Sequence, residues 1–304
     1  MFLPSFHQSP IFHYYSMAII YALCCLFFSA FSDFVFKLFA NSTQEGKKST
    51  GSFVSMVGIV WFAFMVWLPY SETSTLHATL LWGAISGSLS LSSNILLIES
   101  MKYQSAGISS TIFRLNMVLV VIGAFFLLGE PITPQILVGV ICAFGAIIAF
   151  IPTNNDASQS ERDRRKAKIG FALSLAACLL RAGMGLSYKY GFDHQADVNG
   201  VTTINALFWV LGGLAYHLVT ERNLKLPGKG EIKTALLSGV FVSGIVFFMA
   251  RMNATGNASV VNPIAQMSFL GTFALSAIFL KEKMTPKKIC ALLLGIAAII
   301  FLTL

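Results

Sequence analysis

The chain of 304 residues is 56% hydrophobic and only 11% charged, with a mean hydropathy of +0.73. A water-soluble domain carries roughly 25% charged residues, so a soluble enzyme or binding module is excluded and an all-α integral membrane protein is expected. The net charge of +8 then belongs to loops and to membrane orientation. It gives no argument for nucleic acid as a partner, and the lipid bilayer is the expected surrounding.

Ten apolar stretches approach the roughly 20 residues a spanning helix needs. In order they are Met17–Phe39, Phe53–Tyr70, Ala78–Met101, Ala106–Leu128, Pro134–Ile151, Ile169–Tyr190, Val201–Thr220, Glu231–Met252, Ala258–Leu280 and Pro286–Leu304. Residues Met1–Ser16 precede them as a tail without Lys or Arg, which a signal-peptide n-region would need. A start at Met17 fits the pattern equally well. Between the fifth and sixth stretches lies TNNDASQSERDRRKAK, Thr153–Lys168, the longest polar segment. The expected organisation is a tail at 1–16, a five-helix unit at 17–152, a linker at 153–168 and a second five-helix unit at 169–304.

The two units are copies. LLGEPITPQILVGVICAFGAIIAF at Leu127–Phe150 recurs as FLKEKMTPKKICALLLGIAAIIFL at Phe279–Leu302, offset by half the chain. At that offset Glu130 falls on Glu282, Thr133 on Thr285, Pro134 on Pro286, Gly87 on Gly239 and Ile112 on Ile264. Each Thr-Pro pair reads as a helix start, with Thr as the cap and Pro in the first turn, where no backbone donor is required. Five spans are an odd number, so the second copy must enter the membrane with opposite orientation, the inverted-repeat plan of secondary transporters. Gly83-x-x-x-Gly87, matched by Ala235 and Gly239, predicts close helix packing within the chain, with dimerisation as the competing use.

Loop charges support the count. Loops after odd-numbered spans hold sixteen Lys and Arg, and those after even-numbered spans hold only Lys189 and Arg251. By the positive-inside rule the odd loops are cytoplasmic and both termini face out.

An ionised group deep in a bilayer costs at least ~2.5–3.5 kcal/mol and is expected to face a cavity or a partner. Arg114 and Arg181 lie nearest the middle of their spans, and their offset counterparts, Gln266 and Ser29, are neutral. A guanidinium binds carboxylate or phosphate in bidentate fashion, so both are candidate ligands for an anionic substrate. The competing role for Arg114 is a structural pair with Asp33 or Glu99. Asn94, Asn116, Gln266 and Ser268, with Asn262, give the third, fourth and ninth spans polar faces and are further candidates. Interhelical hydrogen bonding is their alternative use. Asp33 is a candidate proton-coupling carboxylate, or else the partner of Lys37 or Arg114. Lys37 and Lys189 fit interface anchors, Glu99 a solvated position, and Glu130 and Glu282 the turns. Trp61, Trp209 and Tyr188 are candidates to line a cavity, but a lone aromatic in a membrane helix more often faces lipid, and that is the expectation. His217 has no evident partner, and Cys24, Cys25, Cys142, Cys178 and Cys290 show no disulfide or metal spacing. Neither a G-x-x-x-x-G-K-[ST] loop nor an H-E-x-x-H or G-x-S-x-G motif occurs, so no nucleotide-driven pump, membrane protease or hydrolase signature is present.

The duplicated turn, GEPITP in its first copy, the helix AGISSTIFRLNMVLVVIGAFFLLGE before it and the MKYQSAG segment preceding that together resemble the EamA repeat of the drug/metabolite transporter superfamily. The resemblance covers nearly the whole chain from Met17. It implies a ten-helix permease with a central cavity between inverted halves, moving an amino acid or other metabolite, often outward. It departs in two places. The second copy has Lys281-Glu282 where the family usually has Gly-Glu, and the family's termini are generally cytoplasmic. The expected function is therefore a secondary active transporter for a small metabolite, an amino acid or other anionic organic solute, driven by a proton gradient or by substrate exchange and without a cofactor, acting as a monomer or homodimer in a bacterial inner membrane. A lipid-linked sugar flippase of the same fold, or an integral-membrane enzyme, is the alternative.

If the loop charges set orientation, a Ser160→Cys variant lacking the native cysteines is shielded from an impermeant maleimide in intact cells and reacts after permeabilisation. Thr73→Cys reacts in intact cells. The reverse pattern places the termini inside.

Overall fold

The structure, a computed structural model, describes residues 10–42, 49–128, 133–150, 161–222, 228–255, 264–281 and 285–303. Glu130, Glu282 and Asn262 lie outside the described residues. The described chain is helical, with no strand: α1 Pro10–Ser42, α2 Thr50–Met65, α3 Leu76–Met101, α4 Ala106–Arg114, α5 Asn116–Leu128, α6 Pro134–Phe150, α7 Glu161–Asp193, α8 Val198–Ala215, α9 Lys229–Thr255, α10 Ser268–Phe279 and α11 Pro286–Thr303. A π-helical turn, Tyr216–Thr220, prolongs α8. Five described stretches are long and apolar enough to cross a membrane, and four apolar helices are shorter. Residues 161–168 of the polar segment are helical and form the first turns of α7, where Glu161 and Asp163 suit the positive end of the helix dipole.

Both Thr-Pro turns cap as their chemistry requires. Thr133 Oγ1 accepts the N–H of Ile136, and Thr285 Oγ1 accepts the N–H of Lys288, both at 3.3 Å. Lys281, at the position where its repeat copy has Gly129, has φ +52°. That left-handed conformation ends α10 and is one that glycine adopts without steric cost.

Pairing of the helices has the symmetry of a two-fold axis. α3 packs on α7 as α9 packs on α1, and α3 packs on α8 as α9 packs on α2. The remaining close pairs, α2 with α8 and α6 with α11, join each helix to its own counterpart. They run antiparallel, as inversion demands. A Cβ on Gly51 would meet the backbone of Gly213 and His217 at 2.5–2.6 Å, and one on Gly58 would meet the backbone of Val210, its own counterpart, at 2.7 Å. Gly83 and Gly87 admit Ile204 and Phe208 of α8, and Gly239 admits Val60 of α2. The small-residue motif is therefore used inside the chain, where it lets helices approach without a hydrophobic drive.

The fourth and ninth spans are both broken, and at matched positions. Leu115 separates α4 from α5, and its N–H is shared between the carbonyls of Thr111 and Ile112 at 3.2 Å each. Val118 N–H then turns back to Leu115 O at 3.1 Å. In the second copy Met267, the counterpart of Leu115, separates the helical residues 264–266 from α10. Leu270 N–H, the counterpart of Val118, bonds Met267 O at 2.9 Å. Neither break contains Pro or Gly, the residues that most often interrupt a helix, so the sequence reading of one continuous helix at 106–128 is corrected here.

Relief of the left-handed strain makes Lys281→Gly more stable by about 1 kcal/mol, seen as a higher thermal midpoint in detergent. Lys281→Val is expected to lower it.

Candidate substrate cavity

A cavity of about 50 Å³ lies within the bundle and is lined by residues of both repeats, from α1, α2, α3 and α4 of the first and α7, α8 and α9 of the second. Among the described residues three charged side chains face it: Asp33, Arg114 and Arg181. Arg114 Nη2 donates to Asp33 Oδ2 at 3.3 Å, with side-chain exposures of 10% and 4%. Ser110 of α4 donates to the same oxygen at 2.5 Å, and Thr272 of α10 lies 3.4 Å from it. Asp33 thus ties α1 to α4 and α10. Arg114 Nε is buried without a partner.

Arg181 is held differently. Its Nη1 contacts Met184 Sδ at 3.1 Å, and its guanidinium carbon stands 5.6 Å from the Phe113 ring centre. Arg114 reaches the same ring at 5.7 Å. A thioether is a weak acceptor, so among the described residues the Arg181 charge meets no counter-ion of its own.

The wall opposite is aromatic. Trp61 and Trp209 meet edge to face, 5.5 Å between centroids, and both line the cavity together with Tyr188. This corrects the expectation that they face lipid. Trp209 Nε1 donates to Ser90 Oγ at 3.1 Å. Asn205 donates to the Tyr188 hydroxyl and accepts from Ser86 Oγ at 2.9 Å. Trp61 Nε1 is buried and unpartnered.

The model of the EamA-like transporter family matches residues 16–151 and 168–304. The chain belongs to that family. It is an integral, multi-pass membrane protein of the drug/metabolite transporter kind. No curated protein matches its sequence. One crystal structure of a protein is similar, with a TM-score of 0.61 over 94% of this chain and 96% of that one. At 13% identity this likeness concerns the fold alone.

In this EamA-like chain the residues singled out from sequence separate into two groups. Arg114, Arg181, Asn94 and Asp33 line the cavity, and Asn94 Nδ2 donates to Ser90 O at 2.9 Å. Asn116, Gln266 and Ser268 do not line it; they sit at the two helix breaks. Asn116 Nδ2 donates to Phe113 O at 2.6 Å, covering a carbonyl freed by the first break. At the second break Gln266 Oε1 and Ser268 Oγ are buried and unpartnered.

Other expectations are revised by side-chain pairings, some within one helical turn and some between distant helices. Lys37, read as an anchor, is buried and donates to Met101 O and Gln104 O at 2.5 and 2.8 Å, at the carboxyl end of α3. Glu99, read as solvated, pairs with Lys102 at 2.7 Å and accepts from Thr50 Oγ1. His217, read as lacking a partner, pairs with Glu221 at 2.8 Å, one helical turn on. Glu221 in turn accepts the N–H groups of Thr50 and Gly51 at 2.7 and 3.3 Å, a carboxylate placed on the amino end of α2.

Removing one member of a buried ion pair costs about 3–5 kcal/mol, more than replacing both. Asp33→Asn should therefore lower the thermal midpoint further than Asp33→Asn with Arg114→Gln. Equal midpoints for the single and double variants would mean that the pair does not hold α1 to α4.

Proposed function

We propose that this chain is a secondary active transporter that moves a small anionic organic solute by alternating access, working as an exporter in a bacterial inner membrane. The observation that carries the reading is the placement of two guanidiniums and one carboxylate in a single cavity lined by both repeats. Charged groups at such depth are costly and mark substrate or ion pathways. Inverted repeats with a midplane site between them provide the rocking geometry of alternating access. The broken helices flank that site and are the natural places for bending. On this reading the protein is not an enzyme, and it needs no bound cofactor. Asp33 serves first as the anchor of Arg114. As a buried carboxylate in the pathway, it is also the group through which a proton gradient would act.

The test is uptake and efflux of a mixed metabolite pool in proteoliposomes, comparing wild type with Arg114→Gln. The expected result is movement of an anionic solute by wild type and a rate at least about tenfold lower in the folded variant, the loss of one charge-assisted contact. Equal rates would remove Arg114 from the pathway. Movement of lipid-linked substrates alone would replace the proposal with a flippase.

A further inference from the structure

Resting on the reading of this cavity as the substrate site, we infer that its ligand is a monoanion: one carboxylate on an apolar body, without an ammonium group. Charge balance is the first argument. Among the described residues the charged groups facing the cavity are two Arg and one Asp, a surplus of one positive charge. Asp33 is already committed, since its Oδ2 receives Ser110, Arg114 and Thr272 and its side chain is 4% exposed. Among the described residues no other carboxylate lines the cavity, so a zwitterionic amino acid would have only the already engaged Asp33 to offer its ammonium. A phosphate monoester brings about two negative charges and would leave one unmatched.

Unmet donors are the second argument. Arg181 carries five N–H donors, and its sole hydrogen bond among the described residues goes to the Met184 thioether. Trp61 Nε1, a donor with no acceptor capacity, is buried in the same wall with no partner. Both satisfy a carboxylate and neither suits a cation. The third argument is the face formed by Phe36, Val242, Ile245 and Val246, which offers apolar contact, while the uncharged polar side chains of the lining, Ser32, Ser90, Asn94 and Tyr188, lie on α1, α3 and α7. Arg181 is therefore the group that binds the anion, and Arg114, neutralised by Asp33, is a positioning residue.

The experiment uses the purified full-length chain in nanodiscs, with Trp fluorescence as the reading because Trp61 and Trp209 line the cavity. Four probes share one body: phenylacetate, phenylacetamide, phenylalanine and phenyl phosphate. Phenylacetate is expected to bind at least about tenfold more tightly than each of the others, the difference a charge-assisted hydrogen bond makes. Arg181→Gln should abolish the preference for acid over amide, with Arg181→Lys restoring part of it. Trp61→Phe should weaken phenylacetate more than phenylacetamide. Equal binding of acid and amide by wild type, tighter binding of phenylalanine or phenyl phosphate, or no binding of any probe overturns the inference. So does an Arg181→Gln variant that keeps the preference. Should phenylacetate bind as expected while proteoliposomes move no solute, the transporter reading falls and the ligand class stands. Should another solute move while the binding pattern fails, the reverse holds.

Discussion

The Asp33 carboxylate is the point on which the first helix and the cavity both depend. An ionised carboxylate out of water is tolerated when paired and hydrogen-bonded, and Asp33 achieves this by drawing on two other helices at once. Ser110 and Arg114 come from α4 and Thr272 from α10. These are the fourth and ninth spans, the pair that carries the two helix breaks. The requirement to satisfy one charge thus fixes α1 against the least regular part of the bundle, and it also fixes the direction of the Arg114 guanidinium.

Around that point the structure uses two kinds of contact. Glycines let α2 and α8 approach backbone to backbone, and they do the same for α3 and α9 against side chains of the other repeat. Such packing is dense and has no directional partner to exchange. The polar contacts are sparse and specific. Lys37 covers the last carbonyls of α3, and Glu221 covers the first amides of α2. Helix ends carry unsatisfied backbone groups that must find partners. Here charged side chains of distant helices supply them, so the ends of α2 and α3 are held by residues of other spans.

Much of this was legible in the sequence because membranes penalise charge. Arg114 and Arg181 stood out as ionised groups in apolar runs, and both line the cavity. The Thr133 and Thr285 caps were legible because the same chemistry occurs twice. The aromatic wall was not. A helix that faces lipid on one side and protein on the other is apolar all round, so nothing in the periodicity says that Trp61 and Trp209 point inward. The breaks at Leu115 and Met267 were hidden for another reason: neither residue is Pro or Gly, so no local breaker signal marks them. A pairing such as Glu221 with Thr50 joins residues that no local pattern connects, whereas Asp33 with Arg114 was open to the sequence because so few charges lie in the apolar spans. Lys281 is the opposite case. Its departure from glycine was visible, and its φ of +52° supplies the reason a glycine belongs there.

A duplicated chain begins with two of everything, and a two-fold axis would offer two equivalent seats for a ligand. The charged groups of the cavity have not kept their twins. At the offset of half the chain, Asp33 corresponds to Gly185, Arg114 to Gln266 and Arg181 to Ser29. The three substitutions silence one seat completely, since none of the twins can ionise. The frame remains double while the electrostatic field within it is one-sided. On the proposed reading of this cavity as the substrate site, one chain presents a single polarised berth with a front and a back, in which a ligand with a charged end and an apolar end would have one way round to lie.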